Sequence, residues 1–181
     1  MSTRHFDHLS YPRAYIRIRP SIILPGQVGS FANRNFSIGE IIVRSEEFED
    51  GNVMSVSEYE MLDSDTKELV KAHSTITVDT VFMPANLNYL RPINYFNHSC
   101  APNTGFDEHD NYVAIADIPN GTEFLLDYSF LNTNPNYRLD CTCGAPNCRK
   151  VITGNEWKNP DFVARCKPYF CSTVREMLSA E

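Results

Sequence analysis

Apolar and charged residues alternate from Ala14 to Arg19, in Ala-Tyr-Ile-Arg-Ile-Arg, with the two-residue period of a half-buried strand. The stretch Pro-Gly-Gln-Val-Gly-Ser-Phe-Ala then reads as a glycine-containing turn entering a second strand. A turn at Gly39 leads into a third strand from Glu40 to Arg44. The pattern changes between Ser57 and Ala72, where the period is helical but broken at Asp63-Ser64-Asp65. That break predicts two short helices, with Asp65 as N-cap of the second. Ser-Thr-Ile-Thr-Val-Asp, from Ser74, reads as a short strand. The runs Asn-Tyr-Val-Ala-Ile-Ala-Asp-Ile, from Asn111, and Glu-Phe-Leu-Leu-Asp-Tyr-Ser-Phe, from Glu123, read as two more, joined by the turn signal Pro119-Asn120-Gly121.

The C-terminal part is helical. Asn159 and Pro160 suit an N-cap and a first helical position. After Pro168, the residues Phe170, Val174, Met177 and Leu178 fall at helical spacing and give an amphipathic tail helix. Neither repeats nor low-complexity segments interrupt the chain. Many short strands with irregular joins and a few small helices predict a β-rich α+β fold.

Size and charge narrow the function classes. The 181 residues suffice for one domain with a sizeable core. No apolar run approaches the ~20 residues of a membrane span, so no membrane association is expected. The first residues lack the apolar core of a secretory signal, and an intracellular location, cytoplasmic or nuclear, is the expectation. The net charge of −7 argues against a broad nucleic-acid surface and suits a cationic substrate.

The six cysteines all lie in the second half of the chain. In a reducing compartment such clustering points to metal before disulfide. Asp-Cys-Thr-Cys-Gly-Ala-Pro-Asn-Cys carries Cys141, Cys143 and Cys148 in a C-x-C-x(4)-C pattern, with Gly144 and Pro146 to bend the backbone. This is three quarters of a tetrahedral zinc site. The fourth ligand has to come from elsewhere: Cys100 and His98 are the nearest remote donors, and Cys166 and Cys171 are further ones. A Cys–His hydrolase built on Cys100 and His98 is a poor reading, because the two are two residues apart and no third group orients them.

Three motifs in order carry a resemblance. They are Asn-His-Ser-Cys-Ala-Pro-Asn (Asn97 to Asn103), Gly-Thr-Glu-Phe-Leu-Leu-Asp-Tyr (Gly121 to Tyr128) and the cysteine triplet, preceded by a glycine-containing segment from Gly26 to Ile42. Together they resemble the SET-domain protein lysine methyltransferases with their post-SET zinc segment. The likeness runs from about Arg13 to Ile152 by motif order rather than continuous identity. It implies a SET fold of small curved sheets with a pseudoknot. The domain would occupy 13–130, the post-SET zinc segment 131–152 and a helical extension 153–181.

The resemblance also implies roles. S-adenosylmethionine would be bound by Val28, Gly29, Ser30, Asn97 and His98, the last two largely through backbone. Tyr128 would stand at the transfer site, where without the motif it would read as a core tyrosine ending a strand. Cys100, Cys141, Cys143 and Cys148 would hold zinc. The substrate would be a lysine side chain of a protein. This sequence departs from the family pattern at Gln27, in place of a glycine, and at Asn94, in place of a frequent arginine. Leu126 replaces an aromatic residue of the amine pocket, with Phe130 the candidate to supply that aromatic wall instead. The segment that often carries a further tyrosine has only Phe48. These departures keep two other readings in view: a related enzyme acting on a small-molecule amine, and a binding module without transfer.

Overall fold

A computed structural model describes residues 14–47 and 51–180. Arg13, where the first expected domain begins, and Phe48 lie outside the described residues. The strands are β1 (Ile16–Pro20), β2 (Val28–Ala32), β3 (Ile41–Val43) and β4 (Gly51–Ser55). Helices α1 (Val56–Glu60) and α2 (Ser64–His73) follow, then β5 (Thr75–Ile76), β6 (Thr80–Pro84), β7 (Asn97–His98), β8 (Thr104–Phe106), β9 (Tyr112–Ala114) and β10 (Leu125–Leu126). The chain ends with β11 (Arg138–Asp140), β12 (Val151–Thr153), α3 (Pro160–Cys166) and α4 (Ser172–Ala180). The β-rich α+β fold of small sheets is as expected.

Four sheets form. β1 pairs antiparallel with β2, from Ile16 opposite Ala32 to Pro20 opposite Val28. The central sheet has the order β3-β9-β8-β10-β7. A three-stranded sheet runs β4-β6-β5, and β11 pairs with β12. The strands predicted over 111–118 and 123–130 do not pair with each other. β9 lies between β3 and β8, while β10 runs parallel to both β7 and β8. Strand β10 is also only two residues long, because Asp127 caps a 3-10 turn at Tyr128–Phe130 by accepting from the Ser129 N–H.

Side-chain and backbone hydrogen bonds together make the parallel joins. The Asn103 carboxamide donates to Glu123 O at 2.8 Å and accepts from Leu125 N at 2.8 Å. Ser99 N donates to Leu126 O at 3.0 Å. Segments 97–103 and 123–128, well separated in sequence, are thereby laid side by side.

The main core joins Phe36, Ile42, Phe96, Phe106, Ile118, Phe124, Leu126 and Phe130 to Trp157, Phe162, Phe170 and Val174 of the C-terminal helices. Asn159 caps α3 and Pro160 opens it, and the apolar stripe of α4 faces inward, both as predicted. The cap of α2 differs from expectation. Asp63, in extended conformation, accepts from Thr66 N, and Asp65 lies in the first turn. The shift follows from geometry: an N-cap reaches the N–H three residues on, and the helix begins at Ser64. A second core gathers Tyr59, Val70, Ile76, Val81, Tyr137 and Ile152 around three of the cysteines.

Candidate functional site

The four cysteines of the predicted metal site come together. The sulfurs of Cys100, Cys141, Cys143 and Cys148 all lie within 4.8 Å of one another. A tetrahedron with ~2.3 Å zinc–sulfur bonds has edges of about 3.8 Å. The Cys100–Cys141 and Cys141–Cys148 separations are 3.9 and 3.6 Å. Cys166 and Cys171 belong to the main core instead.

Local backbone shapes this cradle. Gly144 takes φ +73°, which turns the chain between Cys143 and Cys148 in a region that side-chain-bearing residues rarely adopt. Backbone N–H groups point at sulfur: Arg149 N to Cys100 Sγ at 3.3 Å and Cys100 N to Cys143 Sγ at 3.5 Å. Burial raises the Cys100 thiol, and the Arg149 N–H and charge pull it back. At Cys143 burial opposes ionisation, but the N–H groups of Cys100 and Ala145 and the neighbouring thiols lower it overall. A closed, four-sulfur set of this size suits structural zinc.

His98 is not a fourth ligand. Its Nδ1 accepts from Tyr128 N at 3.1 Å, which leaves the proton on Nε2, 3.5 Å from Cys100 Sγ. Burial, aided by the Arg149 charge, drives its pKa down to about 3, so the ring is neutral at pH 7. It orients a thiolate ligand from behind and ties the cysteine cradle to the backbone of Tyr128.

Val28, Gly29, Ser30 and Asn97 converge on one place. The Asn97 carboxamide donates to Val28 O at 2.9 Å and to Glu123 Oε1 at 2.8 Å. A Cβ on Gly29 would lie 2.2 Å from Glu123 Oε1, so this approach demands glycine. Ser30 turns its hydroxyl inward to Pro92 O. The His98 side chain faces the cysteines, leaving only its backbone on this side. The buried Glu123 carboxylate also accepts from Ser21 Oγ and Ile22 N, both at 2.8 Å. Sequence reasoning passed over Glu123, although an acid inside an otherwise apolar strand was a signal. At the departures from pattern, Gln27 closes the β1–β2 turn onto Ser21 and Leu24, and Asn94 accepts from Arg91 N.

Tyr128 lies on the wall of a cavity of about 710 Å³. Phe96, Tyr112, Leu126 and Cys171 line it beside Tyr128, while Val53, Phe82 and Tyr89 lie on other elements around it. The Tyr128 hydroxyl donates to Phe96 O at 3.1 Å. Burial pushes its pKa up to about 12, so it is a neutral phenol. Burial likewise raises Cys171 to about 11. Leu126 lines the cavity, and Phe130 does not. Its ring is buried among Phe162, Tyr169 and Phe170, because the 3-10 turn after Asp127 points it into the core. Phe96, Phe106 and Tyr112 are aromatic residues that line the same cavity as Leu126.

Asp127 and Arg149 were also missed. One guanidinium nitrogen, Nη2, contacts both carboxylate oxygens at 2.6 and 2.7 Å. Burial raises the Asp127 carboxyl, and Arg149 acts against that rise.

Comparison with known proteins agrees with this geometry. The SET domain model matches residues 27–129. Histone-lysine N-methyltransferase 2D of Homo sapiens is 42% identical over 66 residues, which are 33% of this chain and 1% of that protein. Histone-lysine N-methyltransferase trr of Drosophila melanogaster is 43% identical over 63 residues, 31% of this chain and 3% of the relative. Histone H3-lysine(4) N-trimethyltransferase ATX1 of Arabidopsis thaliana is 39% identical over 67 residues, 33% and 6% of the two chains. The matches thus span only a few per cent of the length of these relatives.

Proposed function

This chain belongs to the SET domain family, and from that premise we propose that it transfers a methyl group from S-adenosylmethionine to a lysine side chain of a protein. The observation that carries the reading is Tyr128. Its neutral hydroxyl is anchored on the Phe96 carbonyl in a cavity with apolar walls, in the same chain segment that pairs with Asn97 and His98. The four clustered thiols would hold zinc as a structural ion.

When bound, S-adenosylmethionine supplies a methyl on a sulfonium, which an amine attacks in line. Such a displacement depends on orientation, and the chain's own residues provide it. Asn97, held by Glu123 and Val28, and the close-packed backbone at Gly29 would fix the cofactor. Tyr128, unable to serve as a base at neutral pH, would orient the amine and face the methyl. Leu126 and Tyr112 would shape the apolar space around the amine and favour its neutral form by desolvation. In this reading 13–130 is the catalytic domain, 131–152 its zinc segment and 153–181 a helical extension. That extension contributes Phe162, Phe170 and Val174 to the common core.

Among the described residues no helix is long and apolar enough to cross a membrane. The named relatives act on histone lysines, so histone H3 is the first substrate to try, and an intracellular location, nuclear or cytoplasmic, goes with it. The test is incubation with methyl-labelled S-adenosylmethionine, histones and whole-cell extract, followed by mass spectrometry of labelled protein. Methylated lysine is the expected product. Label confined to small molecules, or cofactor binding without any turnover, would overturn the reading.

A further inference from the structure

The pair of half-buried Arg149 and buried Asp127 has so far been given no role at Tyr128. Asp127 immediately precedes Tyr128, and its carboxylate caps the turn that carries the tyrosine by accepting from Ser129 N at 3.0 Å. Arg149 immediately follows the ligand Cys148, and its backbone N–H donates to the sulfur of Cys100. The guanidinium lies over the Phe162 ring, 4.8 Å from its centroid, which holds it against the C-terminal helices. Its Nε and Nη1 are buried and make no hydrogen bond among the described residues. Two unpaired buried donors on a cation are costly unless an anion lies close by. A zinc ion held in four thiolates would carry a net charge of about −2, which the Arg149 cation beside the cradle would offset.

We propose that Arg149 is a positioning residue that couples the metal cradle to Tyr128, holding the cradle through its backbone and charge and the tyrosine turn through Asp127. The zinc segment then governs the transfer site rather than only closing the fold. The part that concerns Tyr128 rests on the functional reading above. The link itself does not.

Linkage makes the coupling reciprocal: if the cradle orders the Tyr128 turn, the turn must help retain the metal. The experiment is zinc release from the zinc-loaded full chain to a chromogenic chelator. The variants are Asp127→Asn, Arg149→Met and the double variant. Asp127 touches none of the four sulfurs, yet Asp127→Asn is expected to speed release about 10-fold, and Arg149→Met at least as much. Asp127 also lies 3.8 Å from His98 Nδ1, a second route to Cys100, and the double variant separates the two. Release from the double variant should be no faster than from Arg149→Met, because both changes break one link. Wild-type release from Asp127→Asn, or multiplying effects in the double variant, would overturn the link.

Asp127→Asn keeps the volume and the cap to Ser129, so it carries the test should Arg149→Met fail to fold. With a methyl acceptor in hand, kcat per zinc-loaded molecule should fall about 10-fold in Asp127→Asn while KM for the cofactor stays within about 3-fold. An unchanged kcat would overturn the positioning role. Zinc release reads the link whether or not methyl is transferred, so failure of the link and failure of the functional reading give different results.

Discussion

The cavity has two unlike walls. One carries Phe96, Leu126 and Tyr128, held by hydrogen bonds: Leu126 O accepts from Ser99 N, Tyr128 N donates to His98 Nδ1, and the Tyr128 hydroxyl donates to Phe96 O. The other is built from β4, β6 and the loop after them, and it presents exposed apolar side chains. Val53 is 59% exposed, Phe82 47% and Tyr89 81%. The first wall holds atoms in place, as in-line transfer demands. The second offers apolar surface without fixed partners, which is how a protein selects what docks. Motifs lie on the first wall because orientation restricts residue types. The second wall carries none, because many apolar surfaces would do.

Removing the anchor of the ordered wall should do the most damage. Cys141→Ser leaves three thiolates and an orphaned buried hydroxyl in the cradle. Structural zinc in small domains contributes on the order of 10 kcal/mol or more, comparable with the whole stability of a domain. The variant should therefore carry almost no zinc and lose its native near-ultraviolet circular dichroism. One zinc per chain retained with full stability would sever the cradle from the fold.

Next in size is Tyr128→Phe, which removes the hydroxyl and keeps the ring. Turnover should fall about 10²-fold or more, with cofactor affinity nearly unchanged, as expected for a contact made in the transition state. Since burial holds the phenol at about 12, any rise in rate between pH 7 and 10 belongs to the substrate amine. The residual rate of Tyr128→Phe should show that same rise, and a profile that flattened would assign the ionisation to Tyr128. Leu126→Tyr should act on product rather than rate. A larger ring and a hydroxyl beside Tyr112 leave less room to turn a methylated amine, and mass spectrometry should find fewer methyls per lysine.

What could be read from the chain divides along the same line. Cys141, Cys143 and Cys148 announce their cluster by spacing, and Asn159-Pro160 and the α4 stripe announce local structure by period. Strands β7 and β10 have two residues each, too few for any period. Their parallel pairing depends on side chains such as Asn103, acting across more than 20 residues. Phe130, two residues after Tyr128, turns into the core for a related reason: the cap by Asp127 ends the strand before it. Arg149 was invisible because its partner Asp127 lies 22 residues away in sequence, whereas Glu123 showed only as an acid inside an apolar run.

The open wall is expected to answer more weakly. Phe82→Ala and Tyr89→Ala should raise KM for a protein substrate about 3- to 10-fold and change kcat less than 2-fold, since neither ring touches Tyr128's anchors. A large loss of kcat with constant KM would make both walls catalytic and erase the contrast.

The smallest effect should come from behind that wall. Helix α2 sits against β6 through the fully buried Val70 and Val81, and its first turn is held by Asp63, whose carboxylate takes Thr66 N at 3.0 Å and Thr66 Oγ1 at 2.7 Å. Losing such a cap weakens the first turn of the helix. The carboxyl is fully exposed and its pKa is lowered by these same bonds, so the cap weakens as pH falls through the carboxylate range. Asp63→Ala should thus lower the denaturation midpoint slightly at pH 7, with the difference from wild type shrinking in acid. Its kcat should match wild type, because α2 supports the wall that selects and not the wall that transfers. A fall in kcat beyond the fraction unfolded would mean that strain in the open wall reaches Tyr128, and the two walls would have to be treated as one.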